Sequence, residues 1–212
     1  RDLHYPLRRQ RQMCIRDRYS TNATFEVGNG TWGQILTVVS NLEPVYTVVQ
    51  SIDLEPFQIN MVSLNVHPHN MDMVSMMNTI DMLLVSNDDS DFYIPEYGVN
   101  QMDGFDITEG MNIVLNGADA QTLTVEGLPV DMNETINLNP STMNLLPYLM
   151  PHCLSTNDIF HAHSDHLLVV KNDNSEFYVP AFGVQTLTEM CPGESYAVFL
   201  HGSDAVSYTH LR

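Results

Sequence analysis

The sequence predicts a mainly β protein made of two tandem small β-rich units, sandwich-like or barrel-like, each with one short helix. Three observations lead to this prediction. One stretch of the chain occurs twice, short runs of β-branched residues alternate with Gly, Pro, Asn and Asp, and 212 residues are enough for one or two domains. A long repeat period is typical of tandem small domains, and short apolar runs between turn residues are typical of strands.

The repeated stretch has the pattern of a β-hairpin. Met82 to Val99 reads MLLVSNDDSDFYIPEYGV, and Leu167 to Val184, which begins 85 positions later, reads LLVVKNDNSEFYVPAFGV. Asn, Asp and Ser between the two halves of each copy favour a turn, because their side chains bond to their own backbone.

The likeness extends on both sides of the hairpin. Upstream, Ile52 to Pro56 corresponds to Ile136 to Pro140, and downstream we align Gly110 with Gly193. These matches predict repeat unit 1 at residues 52–127 and repeat unit 2 at residues 128–205.

Both ends are interpreted as foreign to the protein. Arg8 to Asp17 is what a transposase-type sequencing adapter encodes when it is translated. The reverse complement of the DNA for Met13 to Asp17 encodes Val-Ser-Tyr-Thr-His, which stands at residues 206–210. We therefore predict that residues 1–18 and 206–212 are adapter read-through and leave them out of the fold prediction.

Without these ends the chain is strongly acidic. Seven of its eight basic residues lie in them, which leaves Lys171, and removing Asp2 and Asp17 leaves 26 − 2 = 24 acids and a formal charge of −23. Such a charge repels nucleic acid and anionic membranes, so we expect neither as a partner. No apolar run is long enough to predict membrane insertion. Acidic surfaces suit a salty or calcium-bearing medium, which predicts an extracellular or cell-surface location.

The elements are predicted in chain order. Residues 19–51 are interpreted as the end of a preceding β-rich module, with strands at Thr24–Val27, Gln34–Val39 and Val45–Gln50. Each unit then contains a short strand, a turn at a proline, a second strand, a helix, the hairpin and closing strands. The helices are predicted at Met71–Met77 and Thr156–His163, with Ser155 as the N-cap of the second.

Two cysteines remain after Cys14 is set aside with the adapter. Cys153 and Cys191 both lie in unit 2, and unit 1 has no cysteine at the matching positions. A disulfide in an oxidising compartment and two partly buried thiols both fit this pattern.

The hairpin turns are the candidate calcium sites. Their oxygen-bearing side chains suit Ca²⁺, and both copies keep acids, but they lack the glycine and the twelfth-position glutamate of an EF-hand. Turn formation by Asx side chains explains the same residues. Weak calcium binding is predicted at Asp88, Asp89, Asp91, Asp173 and Glu176.

A histidine string offers the alternative of catalysis. His161, His163, Asp165 and His166 fit the H-x-H-x-D-H pattern of metallo-β-lactamase-type hydrolases, whose ligands hold zinc and activate a water. Those enzymes need further ligands downstream, where His201 is the only histidine left before residue 206. The matching positions in unit 1 are Met76, Asn78, Ile80 and Asp81, which favours a structural role for this segment.

Aromatic residues flank the hairpin prolines. A platform of this kind could bind a glycan, and strand pairing explains the same residues. They are Tyr93, Tyr97, Tyr178 and Phe182.

Three blocks of unit 2 resemble a known kind of repeat. Val169–Asn172, Phe177–Gly183 and Pro192–Tyr196 are similar in order and content to repeat modules of large secreted and surface proteins of Bacteroidota, which carry VKN, YWPEFG and PG-x-GY motifs. Here Met143 stands where those modules usually have tryptophan, and Ser195 stands where they have glycine. The resemblance implies an extracellular β-module, one of several in a long chain, and implies no catalytic residues.

The expected function is therefore that of a non-catalytic extracellular module, acting as a spacer, adhesion or binding unit without a cofactor. Its expected partners are neighbouring modules of the same chain and a surface glycan or protein. The alternatives are the metal-dependent hydrolase and a carbohydrate-binding module of a secreted enzyme.

Overall fold

A computed structural model describes residues 47–102, 104–131, 133–140, 142–202 and 205–209. All of them belong to one compact unit, Pro44–Arg212. The predicted strands at Thr24–Val27 and Gln34–Val39 and the predicted adapter segment 1–18 lie outside the described residues. Within the described part, no helix is long and apolar enough to span a membrane.

The protein is mainly β, as predicted. In the first repeat the elements are β1 (Val48–Leu54), β2 (Asn60–Val62), β3 (Val66–Pro68), α1 (Met73–Met77), β4 (Met82–Ser86), β5 (Phe92–Ile94), β6 (Val99–Asn100), β7 (Met111–Leu115) and β8 (Gln121–Pro129). In the second they are β9 (Ile136–Leu138), β10 (Met143–Pro147), β11 (Leu154–Ser155), α2 (Thr156–Phe160), β12 (Leu167–Lys171), β13 (Phe177–Val179), β14 (Val184–Gln185), β15 (Glu189–Met190), β16 (Ser195–Leu200) and β17 (Val206–Tyr208).

Two five-stranded antiparallel sheets repeat the same order. The first is β2-β7-β4-β5-β6 and the second is β10-β16-β12-β13-β14. The described residues also form a three-stranded sheet, β1-β8-β3, and two pairs, β9-β17 and β11-β15. The sheets are open, so each has two edge strands.

A buried asparagine fixes the start of each five-stranded sheet. The Asn60 side chain accepts from the Glu55 N–H at 2.8 Å and donates to the Glu55 and Ile113 carbonyls at 3.0 and 3.1 Å. Asn144 makes the matching bonds to Asn139 and Val198. Each asparagine therefore closes the proline turn and ties its strand to the neighbouring one.

Strand pairing corrects one detail of the sequence alignment. Ile113 pairs with Asn60, and Val198 pairs with Asn144, so Ile113 and Val198 occupy matching positions. Counting back from this pair matches Gly110 with Ser195. The alignment of Gly110 with Gly193 was wrong, because it placed the length difference between the repeats on the wrong side of this glycine.

The first strand crosses a predicted boundary. β1 is one strand of seven residues that pairs with β8 along its whole length. It joins part of the strand predicted at Val45–Gln50 to the short strand predicted at the start of unit 1, and so it runs across the limit placed between residues 51 and 52.

The two repeats share one core. A continuous cluster of buried apolar side chains extends from Ile52 to Tyr208 and contains residues of both repeats. Tyr148 and Tyr196 meet edge to face within it, with ring centres 6.4 Å apart. Neither repeat therefore owns a separate core among the described residues.

The last strand contains residues predicted to be adapter-derived. Val206–Tyr208 pairs with β9 in the register in which Gln121–Leu123 pairs with β1. Tyr208 is buried and stacks on Phe160 at 5.9 Å. The strand pairing shows where these residues lie in the fold but does not test where they come from. Their adapter origin stays a prediction.

Short caps shape the helices and the hairpin ends. Ser155 caps α2 through the Asp158 N–H, as predicted, and Asp72 caps α1 through the Ser75 N–H at 2.8 Å. Gly98 and Gly183 end equivalent 3-10 turns at φ values of 60° and 63°, a conformation that suits glycine.

A disulfide joins Cys153 to Cys191, with their Cα atoms 4.2 Å apart. The bond lies beside the short β11-β15 ladder, in which Leu154 pairs with Met190. Of the two alternatives that the sequence left open, the structure has the disulfide.

Replacing both Cys153 and Cys191 by alanine is expected to lower the free energy of unfolding by about 3 kcal/mol, because the bond closes a loop with a sequence separation of 38 in the unfolded chain. Urea titration followed by circular dichroism measures the difference. Reductant should shift the urea midpoint of the wild type towards that of the double variant and leave the variant unchanged. Equal midpoints for the oxidised wild type and the variant would contradict the expectation.

Candidate functional site

The first acidic turn is built around Asn87. Its backbone N–H donates to the Asp91 carbonyl at 3.1 Å, and its side-chain oxygen accepts from the Asp91 N–H at 2.9 Å. Ser90 takes a φ of 73°, which closes the turn. The Asn87 side chain thus closes the turn with a hydrogen bond, in place of a second bond between backbone groups.

The second acidic turn has the same construction around Asn172. Its backbone N–H bonds to the Glu176 carbonyl at 3.3 Å, and its side-chain oxygen accepts from the Glu176 N–H at 3.0 Å. Ser175 has a φ of 62°. The residues that suggested calcium therefore form Asx-closed turns in both repeats.

One carboxylate of each turn reaches the other repeat. Asp88 Oδ2 accepts from the Leu145 N–H at 2.8 Å, and Asp173 Oδ2 accepts from the Met61 N–H at 3.0 Å. Met61 lies in β2 and Leu145 lies in β10, at matching positions of the two edge strands. The two bonds are reciprocal, as expected for copies related by an approximate twofold axis. We call this pair of bonds the reciprocal clasp.

Matching residues also meet between the two halves of the clasp. A Cβ atom on Gly110 would lie 2.6 Å from Ser195 Cβ, too close for any side chain without a backbone shift. The Gly110 N–H donates to the Leu145 carbonyl at 2.9 Å. Glycine is therefore required here for close approach, and the two repeats differ at this position because they face each other across it.

Ser63 adds a contact that only one repeat makes. Its hydroxyl accepts from the Tyr148 N–H at 3.0 Å and donates to the Glu194 carbonyl at 2.6 Å. Its own N–H bonds to the Gly193 carbonyl at 3.0 Å. The matching residue of the second repeat is Pro147, which has no N–H, so this part of the contact between repeats is asymmetric.

Two further carboxylates lie beside the clasp. Glu109 accepts from the Asn87 side chain at 3.2 Å, and Glu194 accepts from the Tyr196 hydroxyl. Asp88, Asp89 and Glu109 line a cleft of about 170 Å³. Burial raises the pKa of the Asp88 carboxyl, although the Leu145 N–H opposes this, and burial together with nearby carboxylates raises the pKa of Glu109 and Glu194.

The remaining predicted calcium ligands lie apart from the clasp bonds. Asp89, Asp91 and Glu176 are exposed. Within the residues that the structure describes, no group of three or more His, Cys, Asp or Glu side chains is placed to hold a metal ion. Calcium binding at the turns stays a prediction.

The histidine string lies where α2 ends and β12 begins. His161–His163 forms a 3-10 turn directly after α2, and the His166 N–H donates to the His163 carbonyl at 2.9 Å. His161, Asp165 and His166 are exposed. The backbone of His166 also accepts from the His201 N–H at 2.9 Å, so this segment is joined to the end of β16 through main-chain atoms.

The four hairpin aromatics separate into two kinds. Tyr178 is buried and stacks on Phe160, and Tyr93 is partly buried in the sheet. Tyr97 and Phe182 lie at matching positions in the 3-10 turns and are 71% and 81% exposed. The predicted platform is thus reduced to one exposed ring in each repeat.

Sequence reasoning missed the partners of Asp88 and Asp173. The signal available was that these two aspartates match each other in the repeat. Nothing in the sequence pointed to Met61 and Leu145 as their donors, which lie 112 and 57 residues away.

Removing one half of the clasp is expected to destabilise the protein. Asp88→Ala and Asp173→Ala should each lower the free energy of unfolding by about 1–3 kcal/mol, because a strand N–H loses its charged acceptor. Asp88→Asn should cost less, since an amide oxygen can still accept. Asp89→Ala, at the exposed neighbouring residue, is the matched control. Equal urea midpoints for Asp88→Ala and Asp89→Ala would show that the bond contributes nothing.

Stability is expected to rise as the pH falls from neutral towards the unfolded pKa values of the carboxyl groups. The pKa values of Asp88, Glu109 and Glu194 are raised in the folded state, so folding takes up protons in this range. The stability that comes from protonating these three carboxyl groups is complete below their unfolded pKa values of about 4. It is lost as the pH rises through their folded pKa values.

Thermal melts across this pH range measure how steeply the melting temperature changes with pH. The double variant Asp88→Asn, Glu109→Gln should flatten it, whereas Glu96→Gln, at an exposed acid of the first 3-10 turn, should leave it unchanged. If the double variant and Glu96→Gln reduce the pH dependence of the melting temperature equally, this dependence comes from the overall negative charge of the protein and not from the buried carboxyl groups.

In comparisons with known proteins, no protein-family model, curated protein or solved structure matches the chain.

Proposed function

We propose that the protein is a non-catalytic β-module of a larger secreted or cell-surface chain, acting as a rigid spacer and binding unit. The observation that carries this proposal is the reciprocal clasp. The acidic turns contain the predicted calcium ligands, and two of their carboxylates bond to backbone N–H groups between the repeats. Asp88 and Asp173, two of the five residues that suggested calcium in the sequence, thus hold the two repeats together.

The disulfide supports the proposed location. Cys153–Cys191 is a bond of the kind that persists in oxidising compartments. The formal net charge of −18 agrees with a medium in which salt screens the repulsion between acids.

The binding role rests on Tyr97 and Phe182. Both rings are held at the tip of a 3-10 turn between a proline and a glycine, and both are exposed. Two equivalent rings on one folded unit suit a repetitive uncharged partner such as a neutral surface glycan, since the acidic surface disfavours anionic ones.

The metal dependence of stability separates this proposal from the hydrolase. The purified protein should contain no stoichiometric zinc by mass spectrometry, and its melting temperature should not change with chelator. Added zinc should raise the melting temperature only if it binds the folded state. Stoichiometric zinc that is lost in His161→Ala, His163→Ala would overturn the proposal in favour of the hydrolase. A rise with calcium that is lost in Asp89→Ala or Asp91→Ala would keep the module and add a calcium site at the first turn.

A further inference from the structure

The two repeats do not present the same residues to each other. Strand pairing matches Gly110 with Ser195 and Ser63 with Pro147. Gly110 lies against Ser195, and Ser63 bonds to the backbone of the second repeat. Two identical units around a twofold axis would carry the same residue at matching positions. The joint between the repeats is therefore a contact between unlike units at both positions.

The contact pair, Gly110 and Ser195, has room for one side chain. A Cβ atom on Gly110 would lie 2.6 Å from Ser195 Cβ and 3.0 Å from the Leu145 carbonyl oxygen. Because a Cβ atom is bonded directly to the backbone, no change of rotamer moves it out of this contact. Ser195 is completely buried, so packed atoms enclose its side chain. Serine opposite serine would therefore force the two backbones apart, whereas glycine opposite serine fits.

The second difference supplies hydrogen bonds in one direction. The Ser63 N–H donates to the Gly193 carbonyl at 3.0 Å, and the Ser63 hydroxyl donates to the Glu194 carbonyl at 2.6 Å. Pro147, at the matching position, has no N–H and no hydroxyl. A joint between two units of the second kind would thus leave the carbonyls of Gly193 and Glu194 without these donors.

Both differences favour the same arrangement. The first repeat brings the open space at Gly110 and the donors of Ser63, and the second brings the side chain of Ser195 and the carbonyls of Gly193 and Glu194. Each repeat thus supplies what the other lacks, and these features lie on neighbouring residues of the second repeat.

We propose that this joint recognises its partner by kind: a repeat with serine at the contact position pairs with a repeat that has glycine there, and does not pair with its own kind. The partner of the second repeat is a β-unit that brings glycine to Ser195 and hydrogen-bond donors to Gly193 and Glu194. A steric clash and carbonyls without donors reject the wrong partner, and both effects commonly make contacts selective. The inference rests on the proposed function for its wider use, because a larger chain would contain further units to choose among.

The chain itself can carry every combination of the contact pair. The wild type has glycine opposite serine, Gly110→Ser has serine opposite serine, and Ser195→Gly has glycine opposite glycine. The double variant Gly110→Ser, Ser195→Gly exchanges the two residues. Gly117→Ser is the matched control, because an exposed glycine with no atom within 4 Å of its Cβ position receives the same side chain.

Thermal melts of the full chain compare the four variants. Gly110→Ser is expected to lower the melting temperature by about 5 °C or more, because two Cβ atoms overlap. Ser195→Gly should lower it by about 2 °C, a usual effect of glycine in a strand. The Ser195 hydroxyl has no hydrogen-bond partner among the described residues, so this change removes no bond. The exchanged variant should recover most of the loss seen in Gly110→Ser, and Gly117→Ser should change nothing.

Amide hydrogen exchange shows whether the joint itself opens. The N–H groups of Met61 and Leu145, which bond to aspartates of the opposite repeat, should exchange faster in Gly110→Ser than in the wild type. The exchanged variant should slow them again. The Asn87 N–H, which bonds to Asp91 within its own turn, is the internal reference and should be unaffected.

Each outcome decides the proposal. Recovery of the melting temperature in the exchanged variant supports it. Equal melting temperatures for Gly110→Ser and Gly117→Ser would overturn it, because the contact pair would then have room for two side chains. An exchanged variant no more stable than Gly110→Ser would also overturn it, because Ser195 would not be what excludes the second side chain. If Gly110→Ser does not fold, the exchanged variant must fold for the proposal to stand. The zinc content of the wild type tests the proposed function separately, so either can fail without the other.

Discussion

Two backbone N–H groups, those of Met61 and Leu145, determine how the repeats are joined. Each belongs to an edge strand, where an unpaired donor would otherwise face a neighbouring chain or remain unsatisfied. Each is bonded by an aspartate from the turn of the opposite repeat. Burial raises the pKa values of Asp88, which takes part in these bonds, and of Glu109 and Glu194, which lie beside them. The close approach of Gly110 to Ser195 and a core that contains residues of both repeats accompany these bonds.

The location of the acids gives the molecule two kinds of surface. Turns and small sheets carry the negative charge that keeps copies apart in dilute salt. The strands of the two large sheets contain no Asp or Glu, and their one charged side chain is Lys171.

Local features could be predicted from the sequence, and long-range ones could not. The Asx-closed turns, the Ser155 cap and the β class each depend on residues close together in the chain or on a simple alternation. The bond from Asp173 to Met61 joins residues 112 positions apart, and nothing local to either one indicates the other. The register of Gly110 was missed for a related reason, since a length difference between repeats can be placed only when the strand pairing is known. The same limit left the cysteines undecided, because their pairing depends on how β11 and β15 meet.

The reciprocal clasp also limits how many repeat units can pair with one another. Each unit offers one acceptor and one donor to a single partner, and both are used once two units have closed on each other. A third unit added to the chain would find neither, whereas two more could close on each other. A longer array built from this unit would therefore grow by twos, and deleting one unit would expose an edge strand on its former mate. Recombination that keeps the fold intact should exchange whole pairs.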